Sequence, residues 1–242
     1  MGVTTLNQTL SPKKIYLIHG WTYNIDRWQP LVDLLRRSGY QPIQLRVPGL
    51  TEPSDKVWTI EDYVAWLHAK IGNEASPILL GHSNGGRISL AYCNTYPTHS
   101  GHLFLMDAAG VAQNNLLPRL KLIILRLLAR LGKPLAGIPV LRKIFYRLIK
   151  ATDYNNAPPN MKKTMQHMLA ADRHIQLNKV TVPTTIIWGK QDKVTPLSMG
   201  RTLSQGISGS ELHIIDGARH SPMITHPEAV AKIITDSLKV NP

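Results

Sequence analysis

The stretch Pro77-Ile78-Leu79-Leu80-Gly81-His82-Ser83-Asn84-Gly85-Gly86 ends a short apolar run in Gly-x-Ser-x-Gly. A helix-permissive segment, Arg87-Ile88-Ser89-Leu90-Ala91-Tyr92, follows it. A strand, a sharp turn carrying serine and then a helix is the layout of a nucleophile elbow. Such a turn forces strained backbone angles on its serine. It also requires small neighbours, because a Cβ at Gly81 or Gly85 would collide with the adjoining strand or helix. The elbow is expected to present the Ser83 hydroxyl at the carboxyl end of the sheet. It also aims the Asn84 amide N–H at the place where an oxyanion would form.

Working outward, Lys14-Ile15-Tyr16-Leu17-Ile18 reads as a buried strand stopped by His19-Gly20-Trp21. The dozen residues before it read as a short arm or one weak strand. Apolar Trp28, Leu31, Leu34 and Leu35 give Arg27 to Arg37 a helical periodicity. Gln41 to Val47 reads as the next strand, closed by Pro48-Gly49, with a polar loop over 51–57. Ile60 to Ile71 is expected to be a helix with Thr59 as N-cap and Asp62 in its first turn. The helix after the elbow runs to about Tyr96 and stops at Pro97. Further strands are predicted at His102 to Met106, Thr184 to Trp188 and Leu212 to Ile215, and helices near 197–206 and from Pro227 to Leu238. Six strands alternating with helices predict an α/β fold, a mostly parallel sheet covered on both faces. Residues 112–177 break that rhythm. The expected organisation is therefore a core of 1–111 and 178–242 with an insertion at 112–177.

Composition narrows the setting. The 242 residues are 43% hydrophobic, enough for one large domain with a sizeable core. The single cysteine, Cys93, excludes an intrachain disulfide and reads as a small buried apolar residue. The Met1 end shows no signal-peptide pattern, and no apolar run approaches the roughly 20 residues that span a bilayer. A cytoplasmic setting is the expectation, with peripheral membrane association as an extension of it. The net charge of +13 is unevenly placed. Residues 112–177 hold 12 Lys/Arg against 2 Asp/Glu, a net of +10, and the rest hold 16 against 13, a net of +3.

The chemistry follows from the serine. A hydroxyl is a poor nucleophile at neutral pH and needs a base, and the base needs an acid to fix its tautomer. Asp192 lies in Trp188-Gly189-Lys190-Gln191-Asp192-Lys193-Val194-Thr195-Pro196, and His220 in Asp216-Gly217-Ala218-Arg219-His220-Ser221-Pro222. Both stand just past the carboxyl ends of predicted strands, the edge where parallel sheets place their sites. Asp107 also follows a strand end and is the alternative acid. Trp21, after the first strand, is expected to offer its amide opposite that of Asn84 as the second oxyanion donor. His19 reads as a packing and hydrogen-bonding residue, and His82 is expected to point away from Ser83. His68, His99, His102, His167, His174, His213 and His226 show no zinc-ligand spacing, so neither a metal nor a cofactor is expected.

These motifs give the chain its resemblance. His19-Gly20-Trp21, the Gly81-to-Gly86 elbow, Gly189-x-x-Asp192 with Pro196, and Gly217-x-x-His220 resemble the α/β-hydrolase superfamily, in its branch of small lid-bearing serine esterases. The resemblance implies a lid inserted after the family's sixth strand, where residues 112–177 fall, and a Ser83, Asp192, His220 order for nucleophile, acid and base. It also implies hydrolysis of carboxylic esters or lactones through an acyl-enzyme, with carbon–carbon bond hydrolysis or thioester cleavage by the same groups as the alternative. A receptor-like or membrane-surface binding protein is the rival from another class. Two departures stand out. The family's opening hairpin is absent or vestigial, and Arg46-Val47-Pro48-Gly49-Leu50-Thr51 replaces its Asp-x-Pro-Gly-x-Gly.

Within the insertion, Leu116 to Leu131 and Val140 to Ile149 read as two apolar helices. On the second, Lys143, Arg147 and Lys150 line one face and Val140, Leu141, Ile144, Phe145 and Leu148 the other. Met161, Met165, Met168 and Leu169 suggest a third apolar stripe. The apolar faces suit an acyl pocket, and the basic faces make an anionic membrane surface a candidate partner beside the small-molecule ester. Nucleic acid is not an expected partner, because the basic segment lacks interleaved stacking aromatics. Oligomeric state is not legible.

Overall fold

The computed structural model describes residues 12–22, 24–112 and 157–240. In chain order the elements are β1 (Lys14–Ile18), α1 (Gln29–Arg37), β2 (Gln41–Gln44), α2 (Ile60–Ile71), β3 (Ile78–His82), α3 (Asn84–Thr95), β4 (His102–Met106), α4 (Pro159–Ala171), β5 (Thr184–Gly189), α5 (Leu197–Gly206), β6 (Glu211–Ile215), α6 (Pro222–Thr225) and α7 (Pro227–Val240). The six strands form one sheet in the order β2-β1-β3-β4-β5-β6, and every pairing is parallel. The chain runs outward from β1 to β2 and then returns to the other side of β1 with β3. The carboxyl ends of β1 and β3 therefore flank the switch point, where open parallel sheets bind ligands. His19-Gly20-Trp21 and Ser83 follow those two ends.

Strand alternation divides the core in two. Ile15, Leu17, Ile78, Leu80, Phe104 and Met106 face one layer, with Leu31 and Leu35 of α1 and Val230 and Ile234 of α7. Tyr16, Ile18, Leu79, Leu103 and Leu105 face the other, with Tyr63 and Leu67 of α2 and Ile88 and Tyr92 of α3. Every residue of β3, β4 and β5 and all of β1 but Lys14 is thus buried, which is why these inner strands read as continuous apolar runs, while the edge strands β2 and β6 bury one residue each. At the head of α2, Thr59 Oγ1 accepts from the Asp62 amide at 3.3 Å, and Asp62 Oδ2 accepts from the Thr59 amide at 2.9 Å. This reciprocal box satisfies two N–H groups that the helix leaves open. Among the described residues no helix is long and apolar enough to cross a membrane.

Several elements differ from the sequence expectation for physical reasons. The second strand stops at Gln44, not Val47. The Val47 amide donates to Thr51 Oγ1 at 2.9 Å, and its carbonyl accepts from Leu50, Thr51 and Glu52, so its polar groups serve the loop. The first helix begins at Gln29 behind a 3-10 turn over Asp26–Trp28, with Pro30, which has no N–H to donate, in its first turn. A separate short helix, α6, precedes α7. In α4, Met161 and Met168 are fully buried, but Leu169 is 58% exposed and does not belong to the expected stripe. At 3.6 residues per turn Leu169 lies roughly 80° round from Met161, off the face that carries Thr164 and Ala171. The two expected helices over 116–131 and 140–149, and the arm before Lys14, lie outside the described residues.

Candidate active site

Ser83 adopts φ 53° and ψ −118°, a left-handed conformation that L-residues avoid. Four backbone hydrogen bonds hold it there, one of them from the Arg87 amide to the Ser83 carbonyl at 3.3 Å. Its amide donates to the Met106 carbonyl at 3.1 Å, and its carbonyl accepts from the Gly86 amide at 3.0 Å and the Ala109 amide at 2.9 Å. The small residues are sterically required. A Cβ on Gly81 would stand 2.6 Å from the Gly85 oxygen, and one on Gly85 would overlap the Ile18 carbonyl. The first turn of α3 thus lies directly on the end of β1.

Two loops bring the other groups to the serine. The loop after β5 carries Asp192 and the loop after β6 carries His220. Their backbones interlock, since the Gln191 amide donates to the Ala218 carbonyl at 2.9 Å and the Lys190 amide to Ile215 at 3.1 Å. His220 Nε2 lies 3.1 Å from Ser83 Oγ, and His220 Nδ1 lies 2.8 Å from Asp192 Oδ2. The Asp192 carboxylate accepts from four donors: His220 Nδ1, the Thr195 hydroxyl at 2.6 Å, and the Val194 and Thr195 amides at 2.7 and 3.1 Å. Burial alone would raise its pKa. The His220 hydrogen bond and charge, with Thr195 and Val194, outweigh that and hold the group below the usual carboxylate range. An ionised Asp192 accepts the Nδ1 proton, which leaves the Nε2 lone pair facing the serine hydroxyl.

A Cβ on Gly20 would lie 2.7 Å from Ser83 Cβ, so the His19-Gly20-Trp21 segment stands beside the serine. Among the described residues, the amides of Trp21 and Asn84 donate to no acceptor. Asp107 is fully buried and makes no hydrogen bond to His220. Its Oδ1 accepts from the Gly189 amide at 2.8 Å. His19 is buried, with Nδ1 2.7 Å from the Gly20 oxygen and Nε2 2.7 Å from Thr51 Oγ1. His82 makes no bond to Ser83. Burial, then the His220 charge, push its pKa down to about 3, and the neutral ring donates Nε2–H to the His220 carbonyl at 2.7 Å.

Three features escaped the sequence reading. Thr195 Oγ1 touches Asp192 Oδ2, the Asp107 carbonyl at 3.0 Å and His220 Nδ1 at 3.2 Å. The signal available was its place three residues after an aspartate in a turn, where side-chain-to-backbone bonds are common. His82 supports the His220 loop across 138 residues, and no local pattern marks that. Arg87 joins two distant elements: Nε and Nη2 grip Asp172 Oδ1 and Oδ2 at 2.6 and 3.1 Å, while Nη1 donates to Asn84 Oδ1 at 2.5 Å. Asp172 caps the end of α4, so that helix is tied to the residue after the serine.

Two other places have different characters. His82, Asp107 and His220 hold possible ligand atoms within 4.8 Å of one another, but both His220 nitrogens are already engaged. A cavity of about 330 Å³ lies at the amino ends of β5 and β6, lined by His102, Glu211, His213, Lys232 and Asp236, on the opposite edge of the sheet from Ser83.

Comparison with known proteins agrees with the fold. A model described as the alpha/beta hydrolase family matches residues 15–233. A monoacylglycerol lipase of Xenopus laevis is 25% identical over 252 residues, spanning 93% of this chain and 74% of its own. The pimeloyl-[acyl-carrier protein] methyl ester esterase of Neisseria meningitidis is 25% identical over 240 residues, 93% of each chain. The enol-lactonase of Burkholderia xenovorans LB400 shares the fold with a TM-score of 0.69 at 18% identity, over 96% of this chain and 93% of the other. With its elbow, its parallel sheet and a family match along most of its length, this chain belongs to the alpha/beta hydrolase family.

Proposed function

We propose that the protein hydrolyses carboxylic esters through an acyl-enzyme intermediate on Ser83. His220 takes the Ser83 proton on Nε2 as Oγ attacks the ester carbonyl carbon. Asp192 holds the Nδ1–H and offsets the charge of the imidazolium that forms. The Trp21 and Asn84 amides receive the oxyanion. His220 then returns the proton to the leaving alcohol oxygen. A water, deprotonated by the same imidazole, releases the acid and restores the serine. No cofactor takes part in these steps.

The observation that carries this reading is the single imidazole bridging Ser83 Oγ at 3.1 Å and Asp192 at 2.8 Å. Substrates are small to medium esters with an apolar acyl part, extending to lactones. The lipase and esterase relatives, named for ester substrates, support that class. Residues 112–177 serve as an inserted lid on a core of 1–111 and 178–242. Their net charge of +10 favours an anionic membrane surface as a second partner of an otherwise cytoplasmic protein. The test is turnover of p-nitrophenyl acyl esters of graded length, beside matched lactones and thioesters. Ester turnover abolished by Ser83→Ala supports the reading. Turnover of thioesters alone, or of no substrate by folded protein, refutes it. Salt-sensitive sedimentation with anionic but not neutral vesicles tests the surface.

A further inference from the structure

His19 and Thr51 take no part in the steps above, yet between them they fix the peptide to which the Trp21 amide belongs. His19 follows β1 and is buried. Its Nδ1 lies 2.7 Å from the Gly20 carbonyl oxygen, and its Nε2 lies 2.7 Å from Thr51 Oγ1. A carbonyl oxygen only accepts, so the imidazole proton sits on Nδ1 and Nε2 presents a lone pair. The Val47 amide donates to Thr51 Oγ1 at 2.9 Å and also to His19 Nε2 at 3.4 Å, a bond that Nε2 could not accept if it carried a proton. Burial, opposed by the Gly20 bond, lowers the His19 pKa, so the ring is neutral at pH 7. Every proton in the chain is then placed. Val47 N–H goes to Thr51 Oγ1, Thr51 O–H to His19 Nε2, and His19 Nδ1–H to the Gly20 oxygen.

The far end of this chain is braced. The Thr51 amide donates to the Val47 carbonyl at 3.1 Å, the Gly49 amide to the Glu52 carbonyl at 2.7 Å, and the Tyr63 hydroxyl to the Pro48 carbonyl at 2.9 Å. At the near end, a trans peptide is planar and carries its N–H opposite its C=O. Pinning the Gly20 oxygen against His19 therefore turns the Trp21 N–H away from the imidazole. That N–H has no acceptor among the described residues, and its segment stands beside Ser83.

We propose that Thr51 is a positioning residue of the active site, which acts through His19 to hold the Gly20–Trp21 peptide with its N–H free for the oxyanion. This rests on the ester-hydrolase reading and deepens it. The resemblance places glycine where this chain has Thr51, and glycine has no hydroxyl to give. The relay is therefore this chain's own. An oxyanion donor is worth most when it is already aimed at the place where charge develops. Neither side chain touches the reacting atoms.

The test is steady-state hydrolysis of a p-nitrophenyl ester by the native protein, Thr51→Val and Thr51→Ser, each corrected by its Ser83→Ala background. Thr51→Val keeps the shape and removes the hydroxyl. It should lower kcat and kcat/KM together by about 10- to 100-fold with KM unchanged, the signature of an interaction made only in the transition state. Thr51→Ser returns the hydroxyl and should recover most of the loss. A second readout needs neither turnover nor a variant: nitrogen NMR of the native protein should show the His19 ring neutral, with its proton on Nδ1. Unchanged kcat in Thr51→Val, a loss confined to KM, no recovery in Thr51→Ser, or a His19 proton on Nε2 overturns the proposal. If Thr51→Val does not fold, the ring proton decides. Absence of any Ser83-dependent turnover strikes the ester-hydrolase reading instead, and the His19 tautomer then still decides whether the relay exists.

Discussion

The Arg87–Asp172 pair offers the sharpest energetic test of how α4 is joined to the core. Its side chains are only 7% and 12% exposed, and the contact is bidentate. Replacing Asp172 with alanine leaves the guanidinium buried, with Asn84 Oδ1 as its remaining partner. Breaking a buried pair from one side costs about 3–5 kcal/mol. In a domain of this size 1 kcal/mol moves Tm by about 2–4 °C, so Asp172→Ala should lower it by about 6–20 °C. The exposed pair Lys14–Glu74, at 41% and 33%, sets the control: Glu74→Ala should cost about 0–1 kcal/mol. Replacing both members at once, as Arg87→Met with Asp172→Leu, removes the stranded charge and should recover much of the loss. Thermal and urea unfolding of the three variants beside the parent measure this directly. A Tm for Asp172→Ala within about 2 °C of the parent, or a double variant no more stable than the single, would refute the reasoning.

Gly85→Ala should fail to fold or lose the elbow geometry, because its Cβ overlaps the Ile18 carbonyl, which is backbone and cannot swing away; normal expression and turnover of this variant would contradict the packing. Thr59→Ala should cost about 1 kcal/mol by urea unfolding, with activity unchanged, since it removes half of a capping box. Stability should peak close to pH 6.5. The buried rings of His82 and His102 have pKa values lowered to about 3 and about 4, so the unfolded chain binds more protons there and stability falls as pH drops below the ordinary histidine value of 6.5. Asp107, raised chiefly by burial, acts oppositely, its contribution fading as pH climbs from 3.8 to about 8. His19, lowered by burial like His82 and His102, adds to their effect, so below pH 6.5 stability climbs with pH by at least about 1.4 kcal/mol per pH unit, and above 6.5 the sign reverses. Urea midpoints across pH 4–9 read this out, and a maximum at pH 8 or above would contradict it.

The parts of this molecule that were legible in its sequence are those specified by neighbouring residues. The elbow needs glycine on both sides of Ser83 and a strand before it, so ten consecutive residues announce it. Strands buried on both faces show as apolar runs, and the cap of α2 is spelled out within four residues. Asp192 and His220 could be placed because each follows a strand end, and all strand ends of a parallel sheet point to one edge. What stayed hidden depends on distant partners. Val47 looks like strand residue until Thr51 claims its amide. Leu169 looks like core until the phase of α4 is fixed by Met161 and Met168. The Arg87–Asp172 bond spans 85 residues and the His82–His220 bond 138, and no spacing rule reaches so far. Asp107 was legible as an acid at a strand end. Its complete burial, with Oδ2 left without a hydrogen-bond partner, is a property of the packed site alone.

The most direct measurement is stoichiometric labelling by a fluorophosphonate, with the modified residue located by peptide mass mapping. A serine activated by an imidazole should take up one equivalent on Ser83, rapidly in the native protein and far more slowly in His220→Ala. Label on another residue, or equal rates with and without the imidazole, would contradict the shared geometry of Ser83, His220 and Asp192.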